Sequence, residues 1–462
     1  MVSHPLTQLF SVSRFSLFVV VIVLQSHSAA SFAMKVHPKL PMPEALTSST
    51  PGTWAHDTMS RRVEKDILQR LEEENEAEFN TPEFSSSKMK LSDLREELRT
   101  SSIIRHVEGS GEDLEDWRRA MADVVSKQET YLTAPWLTAE FYVYRRVLEC
   151  FDYFNPASST FRFDPFVKQK RSGLQTSVAS SEALLKKFSK LPSQSTDQAP
   201  GLRLAILSAL WGNKMDLSIW PADDVGDVDV FSKILEGASG NLLWDDTERL
   251  IGDMLERGRG EKCANRVHIV VDNAGFELVT DLALADFLVS SGVASSVTFQ
   301  LKKHPTFVSD AMESDLLETV EYFGNLGSGN PYCASAASRW KEYLKNGQWI
   351  CSEDFYWVQP HPMWDMPSSL SSKFSQTCDV CFVKGDANYR RLLGDLKWDY
   401  VKDSFQNVVG SYFPCDVVAL RTLKAEVGCG MVEGSVEAAK AKDPSWQVDG
   451  KWGVVHYGKK GL

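Results

Sequence analysis

The chain has 462 residues, of which 43% are hydrophobic and 24% are charged. This composition excludes a mostly disordered chain, a collagen-like fibre and a multi-pass membrane protein. The length predicts one large domain with an appendage, or two packed domains. A net charge of −12 argues against a nucleic-acid binder that works through a broad basic surface, and eight cysteines are too few for a disulfide scaffold.

Residues 1–34 have the pattern of a cleavable signal or targeting segment. No acidic residue precedes Glu44, Arg14 precedes a short apolar run at residues 15–24, and small residues follow. This order is typical of a secretory signal, and the run is too short to span a bilayer. The string AASFAM also resembles the processing site of plastid-targeting presequences in algae with complex plastids. We therefore expect targeting to the secretory pathway or a plastid, or a cytoplasmic protein if translation starts at Met34.

The hydrophobic pattern from residue 35 to residue 190 is mostly that of helices. Between Thr58 and Asn75 the apolar residues form one helical stripe. The stripe consists of Val63, Ile67, Leu68 and Leu71. Further helices are predicted at residues 91–99, 114–125 and 136–154. The string LPSQSTDQAPG at residues 191–201 indicates a loop or boundary, so we predict an N-terminal helical region over residues 35–190 and an α/β domain over residues 200–462.

The hydrophobic pattern changes after this boundary, where short apolar runs alternate with turn clusters and helical patterns. The apolar runs with their turns cover residues 266–275, 295–305, 377–388 and 413–424. Strands that alternate with helices predict a three-layer α/β/α fold with a largely parallel sheet. The tail at residues 446–457 is predicted to be a hairpin that turns at Asp449 and Gly450.

Asp272 and Asn273 directly follow the apolar string HIVV. Ligands of open α/β sheets bind at the carboxyl ends of the strands, and these oxygen donors suit a Mg²⁺- or Mn²⁺-type ion. Asp310, which ends the string TFVSD, is a further candidate. The alternative is that these side chains only cap the helices that follow them.

A second polar cluster follows the apolar run near residue 383. Lys384 and Arg390 supply positive charge, Gly385 lets the backbone approach a ligand, and Asp386 and Asn388 add polar groups. Cations beside a hard-metal site are what a phosphate ester requires. The string RTLK at residues 421–424 similarly follows an apolar run. Solvated charges on plain loops are the alternative for both clusters.

Common nucleotide and zinc motifs are missing from the sequence. It contains no Walker-type glycine–lysine loop, no GxGxxG after a strand and no HExxH. Cys378 and Cys381 form one CxxC without a second pair at zinc-finger spacing, so we expect core thiols.

Several strings together resemble a known family. They are WGNKMDLS (Trp211–Ser218), VVDNAGFELVTDLALADFL (Val270–Leu288), KHPTFVSD ending at Asp310, FVKGDANYRRL (Phe382–Leu392) and RTLK (Arg421–Lys424). In order and spacing they resemble the metal-dependent damage-control phosphatases of subfamily III, also called the acidic-residue methyltransferase-like family. The similarity extends from about residue 38 to residue 458.

The resemblance implies a helical region packed on an α/β/α domain, and it assigns roles to individual residues. The implied metal ligands are Asp272, Asn273 and Asp310. The implied catalytic residues are Asp272, Lys384 and Lys424. The implied substrate-binding residues are Asp272, Asn273, Glu277, Asp310, Lys384, Gly385, Asp386, Ala387, Asn388, Arg421 and Lys424.

The resemblance also implies an activity. We expect a metal-dependent phosphatase that hydrolyses small phosphate esters, with fructose 1-phosphate and fructose 6-phosphate as typical substrates. One divalent ion would be required, with Mn²⁺ favoured and Ni²⁺, Co²⁺ or Mg²⁺ as alternatives. Water activated by the metal is the favoured nucleophile, and direct attack by Asp272 is the alternative. We expect neither a nucleic-acid partner nor a stable membrane span in the mature chain, and the sequence predicts no oligomeric state.

Two other functions stay open at this point. The first is an S-adenosylmethionine-dependent carboxyl (glutamate) O-methyltransferase, an activity also attributed to the family, although the sequence lacks the glycine-rich turn of common methyltransferases. The second is a non-catalytic metabolite sensor, which would not need to keep every metal ligand.

Overall fold

The computed structural model of the protein describes residues 37–38, 41–191, 197–212, 240–258 and 265–461. The predicted targeting segment lies outside these residues, as do residues 213–218 of the WGNKMDLS string, so targeting and localisation stay predictions. Within the described part of the chain, no helix is long and apolar enough to cross a membrane.

The described chain before residue 212 consists mainly of helices. The α-helices are α1 (Trp54–Asp57), α2 (Arg70–Glu74), α3 (Glu76–Phe79), α4 (Ser85–Arg99), α5 (Leu114–Ser126), α6 (Trp136–Cys150), α7 (Val167–Thr176), α8 (Val178–Ser189) and α9 (Ala199–Trp211). A π-helical stretch, Thr58–Gln69, joins α1 to α2, and a 3-10 turn covers Pro82–Phe84. Val63, Leu68 and Leu71 of the predicted stripe are fully buried. The domain boundary near residues 191–200 stays a prediction.

The second part of the chain alternates strands and helices. The strands are β1 (Leu242–Asp245), β2 (Asn265–Val270), β3 (Ala294–Lys302), β4 (Trp349–Asp354), β5 (Val380–Lys384), β6 (Asp416–Thr422) and β7 (Gly453–Gly458). The α-helices are α10 (Thr247–Gly258), α11 (Phe276–Ser290), α12 (Glu313–Asn325), α13 (Pro331–Asn346), α14 (Ser368–Thr377), α15 (Asp386–Leu392) and α16 (Glu433–Lys442). Shorter 3-10 and π-helical turns cover Gly327–Gly329, Phe355–Val358, Met363–Asp365 and Gln406–Gly410.

The seven strands form one sheet in the order β1-β7-β6-β5-β2-β3-β4. The five strands from β6 to β4 are parallel, whereas β7 pairs antiparallel with β6 and parallel with β1. The four strands predicted from apolar runs are therefore confirmed. The predicted hairpin is wrong, because no strand precedes the turn at Asp449 and β7 instead pairs with β1 and β6.

Helices cover both faces of this sheet. Alternate side chains of β2 point to opposite faces, so Ile269 packs in a core with α8 to α13 while Val270 packs in a second core with α14 to α16. A third core lies within the N-terminal helices. The predicted α/β/α fold with an N-terminal helical region is thus confirmed.

The strand order also determines where a ligand can bind. From β2 the chain proceeds to β3 and β4 on one side, and then returns to β5 and β6 on the other side. The crevice beyond the carboxyl ends of β2 and β5 is therefore a topological switch point, where ligands of open α/β sheets bind.

Candidate active site

Asp272 and Asn273 form the turn that follows β2. The Asn273 side-chain amide donates from Nδ2 to Asp272 Oδ2 at 2.9 Å and to Glu277 Oε2 at 2.9 Å. Its Oδ1 accepts a hydrogen bond from the Ser309 hydroxyl at 2.7 Å. The helix α11 begins at Phe276 without a side-chain cap. The capping alternative for Asp272 and Asn273 is therefore wrong.

The loop after β3 brings Asp310 beside this turn. The backbone N–H of Ala311 donates to the Asp272 carbonyl at 2.9 Å, and the N–H of Ala274 donates to the Ser309 carbonyl at 2.7 Å. Asp310 does not cap α12, because the carboxylate that accepts from the backbone at the helix start belongs to Asp315. The capping alternative for Asp310 is therefore wrong as well.

The acidic groups at this position are crowded and shielded from water. Asp272 is 7% exposed and Asp310 is 2% exposed. Burial, together with the charges of Asp310 and Glu277, raises the pKa of Asp272 well above its ordinary value. Burial also raises the pKa of Asp310, although Lys302 partly offsets this effect. A cation bound beside these carboxyl groups would favour their ionised forms.

Lys384 and Gly385 follow β5 on the other side of the crevice. Gly385 has φ +83°, and a Cβ at this position would overlap the carboxylate of Asp272. Lys384 Nζ lies 2.7 Å from Asp281 Oδ1 and 3.8 Å from Glu277 Oε1, and it also donates to the Ala209 carbonyl. Burial opposes the charge of Lys384, but Asp281 and Glu277 outweigh it and raise its pKa.

Asp386 joins residues 384–388, which are the predicted substrate-binding loop (the substrate loop), to the RTLK string. Its Oδ1 accepts hydrogen bonds from Arg421 Nε at 2.7 Å and from the Lys424 backbone N–H at 3.0 Å. The buried Arg421 guanidinium also donates to the Ala425 carbonyl at 2.9 Å. Arg421 therefore holds the loop, whereas the side chain of Lys424 is partly exposed and its charge acts on Asp272.

Ala387 and Asn388 complete the predicted set. Ala387 is partly exposed at the start of α15, and Asn388 is fully buried. The Asn388 amide donates from Nδ2 to the Lys384 carbonyl at 2.9 Å, and its Oδ1 accepts from Lys302 Nζ at 3.3 Å. The structure thus brings all the predicted residues to one edge of the sheet. Arg390, which the sequence also offered as a source of positive charge for a phosphate, does not serve this role, because its guanidinium pairs with Glu140 and Asp395.

The charges of the buried groups indicate what this crevice can hold. Apart from Arg421, which is paired with Asp386, four carboxyl groups and two ammonium groups are buried here, and they would carry a net charge of −2 if all were ionised. They are Asp272, Glu277, Asp281, Asp310, Lys302 and Lys384. One divalent cation would balance this charge, and carboxylate and amide oxygens suit a hard ion.

The chemistry of the donors limits how an ion would be held. Within the described residues, no three His, Cys, Asp or Glu side chains are arranged to hold a metal ion together. A metal here would depend on two aspartates and on the Asn273 amide oxygen, which keeps a second lone pair beside its bond to Ser309. These donors fit an ion that takes its remaining ligands from water or substrate.

Comparison with known proteins agrees with the strings that first suggested a family. The family model for the damage-control phosphatase ARMT1-like domain matches residues 55–439. The chain belongs to this family. It is 32% identical to damage-control phosphatase ARMT1 of Danio rerio over 90% of this chain and 97% of that protein. It is 30% identical to the Homo sapiens protein of the same name over 90% of this chain and 98% of that protein.

Among solved structures, a DUF89 family protein from Pyrococcus horikoshii aligns with 80% of this chain and 96% of its own chain, with a TM-score of 0.41 and 17% identity. Membership of the ARMT1-like family confirms the predicted resemblance and, of the predicted enzyme class, that of a phosphatase.

Two buried residues of this ARMT1-like site were missed by sequence reasoning. Lys302 ends β3 and contacts Asp310, and Asp281 lies within the apolar helix α11 and contacts Lys384. A signal was present for each, because a charged residue in a buried strand or helix requires a partner. The identity of that partner was not visible in the sequence.

Proposed function

We propose that this protein is a metal-dependent phosphatase that hydrolyses small phosphate esters, with sugar phosphates such as fructose 1-phosphate and fructose 6-phosphate as substrates. The observation that carries the proposal is the cluster of buried carboxyl groups of Asp272, Glu277 and Asp310 around the Asn273 side chain. Relatives named damage-control phosphatases support the same class of reaction.

Asp272, Asn273 and Asp310 would hold one divalent ion, with Mn²⁺ favoured over Ni²⁺, Co²⁺ and Mg²⁺. A bound ion of this kind acts as a Lewis acid on phosphoryl oxygens and lowers the pKa of water. The chain's own residues then bind and orient the ester. Water is the favoured nucleophile, and Asp272 is the alternative.

Lys424 is the cation best placed to meet a phosphate group. Its side chain is partly exposed, while the ammonium of Lys384 is buried against Asp281. A contact between Lys424 and phosphate would be charge-assisted and so stronger than a neutral hydrogen bond. Because its ammonium group is buried, Lys384 would act mainly by holding Glu277 and α11 in place. The partly exposed Gly385, Asp386 and Ala387 would face the substrate.

The proposal is tested with the purified protein, each of the four metals and fructose 1-phosphate, by measuring phosphate release before and after chelation. Chelation should abolish release, and added Mn²⁺ should restore it. The variant Asp272→Ala should lose activity by on the order of 10²–10³-fold, because it removes a ligand of the ion that would stabilise charge in the transition state. Asp123→Ala is the control, since that side chain is 90% exposed on α5.

Each outcome separates the alternatives. Full phosphate release by Asp272→Ala would refute the metal assignment, and no release from any phosphate ester with any metal would refute the function. Repeated turnover excludes a sensor. Methyl transfer from S-adenosylmethionine without phosphate release would favour the methyltransferase instead.

A further inference from the structure

Lys302 is a buried lysine beside the proposed metal ligands. Lys302 ends β3, and Asp272 lies in the turn after β2, the strand that pairs with β3; the charge of Lys302 acts on Asp272. Its side chain is 1% exposed. A lysine is almost never buried to this extent without partners for its ammonium group, so its contacts define its role.

The ammonium group contacts two elements of the site at once. Lys302 Nζ lies 3.0 Å from Asp310 Oδ2 and donates to Asn388 Oδ1 at 3.3 Å. The loop after β3 carries Asp310, whereas α15, which follows β5, carries Asn388. Lys302 is therefore a direct link between the loop of the proposed metal ligand and the helix of the substrate loop.

The Asn388 side chain is oriented toward this lysine. The Asn388 amide donates from Nδ2 to the carbonyls of Lys384 at 2.9 Å and Val271 at 3.4 Å, which leaves its oxygen for Lys302. The backbone N–H of Lys302 donates to the Ala311 carbonyl at 3.0 Å. Main chain and side chain of Lys302 thus bind the same loop beside Asp310.

The charge of Lys302 also matters in this crevice. Without it, one of the two buried ammonium groups of the crevice would be lost, and Asp310 would lose its ion-pair partner. A buried carboxylate without such a partner is unfavourable, so Asp310 would move.

We propose that Lys302 is a positioning residue for the phosphatase reaction, which fixes Asp310 and Asn388 relative to each other. The inference rests on the proposed function. Lys302 acts through its two partners, and it needs no contact with the substrate. Its loss should lower kcat because misplacement by about 1 Å is enough to reduce a rate by about 10²-fold.

The test compares Lys302→Met with Lys303→Met. Lys303 is the adjacent lysine, but its side chain is 43% exposed and pairs with Glu353 at 3.1 Å. With Mn²⁺ and fructose 1-phosphate, Lys302→Met should lower kcat about 10²-fold while KM changes by less than about threefold. Lys303→Met should match the wild type in both constants.

A second variant keeps the inference testable if Lys302→Met does not fold. Lys302→Arg keeps the positive charge but moves the donor atoms, so it should keep the wild-type Tm and lower kcat about tenfold. A purely structural lysine would show wild-type kcat in Lys302→Arg.

The possible results distinguish a failure of this inference from a failure of the proposed function on which it rests. A wild-type protein that releases no phosphate from any ester would overturn the proposed function, and the inference with it. An active wild type whose Lys302→Met and Lys302→Arg variants have the kcat of Lys303→Met would overturn the inference alone. Loss of kcat in the Lys302 variants only would support it.

Discussion

Gly385 connects backbone conformation directly to the chemistry of the crevice. It lies where β5 ends, and its φ of +83° is a conformation that side chains rarely adopt. The space for a Cβ is filled by the carboxylate of Asp272. The close approach of the two strand ends therefore requires glycine at this residue.

We expect Gly385→Ala to displace Asp272 and to abolish metal-dependent phosphate release. Gly347→Ala is a matched control, because Gly347 has φ +80° but open space around a Cβ. The control should lose only about 1 kcal/mol of unfolding free energy. Urea unfolding and phosphate release measure the two effects, and equal behaviour of the two variants would contradict the role of the close approach.

At the scale of elements, α11 and β5 are joined by the ion pair of Asp281 with Lys384. Both side chains are buried, and the distance from Nζ to Oδ1 is 2.7 Å. Burial raises the pKa of Asp281 to about 7, although Lys384 opposes the rise. Asp281 therefore keeps its proton to a higher pH in the folded protein than in the unfolded chain.

This difference makes stability depend on pH. Between about pH 4 and pH 7 the folded state holds a proton at Asp281 that the unfolded state has lost, so the free energy of unfolding falls as pH rises, by up to about 1.4 kcal/mol per pH unit. Asp281→Asn should make this slope shallower by the contribution of Asp281, as measured by urea unfolding across that range, while Asp272 and Asp310 keep theirs. Asp123→Asn, at an exposed acid, should keep the wild-type slope. Parallel curves for wild type and Asp281→Asn would disprove the assignment.

At the scale of the whole molecule, a buried arginine connects the N-terminal helices to the α/β layers. Arg390 of α15 pairs with Glu140 of α6 at 2.7 Å and with Asp395 at 2.8 Å. Its guanidinium also lies 3.6 Å from the ring centroid of Trp136. Arg390 therefore anchors the helical region beside the helix that carries Asn388, instead of meeting phosphate.

Arg390→Met should lower the unfolding free energy by about 3–5 kcal/mol, because it leaves two buried carboxylates without their ion-pair partner. Arg171→Met serves as control, since Arg171 is 58% exposed and pairs with Glu318 at 2.7 Å. The control should change stability by no more than about 1 kcal/mol. The midpoints of urea unfolding compare the two variants, and equal midpoints would exclude the anchoring role.

Local patterns were enough to predict much of this protein. The apolar runs that became β2, β3, β5 and β6 each end at polar residues, and parallel strands bring such ends to one edge of a sheet. Asp272, Asp310 and Lys384 were therefore predictable as neighbours. The chemical types of these residues, together with the order of the strings, also indicated the family.

Only the tertiary structure decided which groups meet in pairs. The position of β7 between β1 and β6, and the contacts of Lys302 with Asn388, Asp281 with Lys384 and Arg390 with Glu140, join residues that lie far apart in the chain. A buried charge shows in the sequence that a partner is needed. The choice of partner depends on packing, because it is the folded chain that sets which groups lie within a few ångströms of each other.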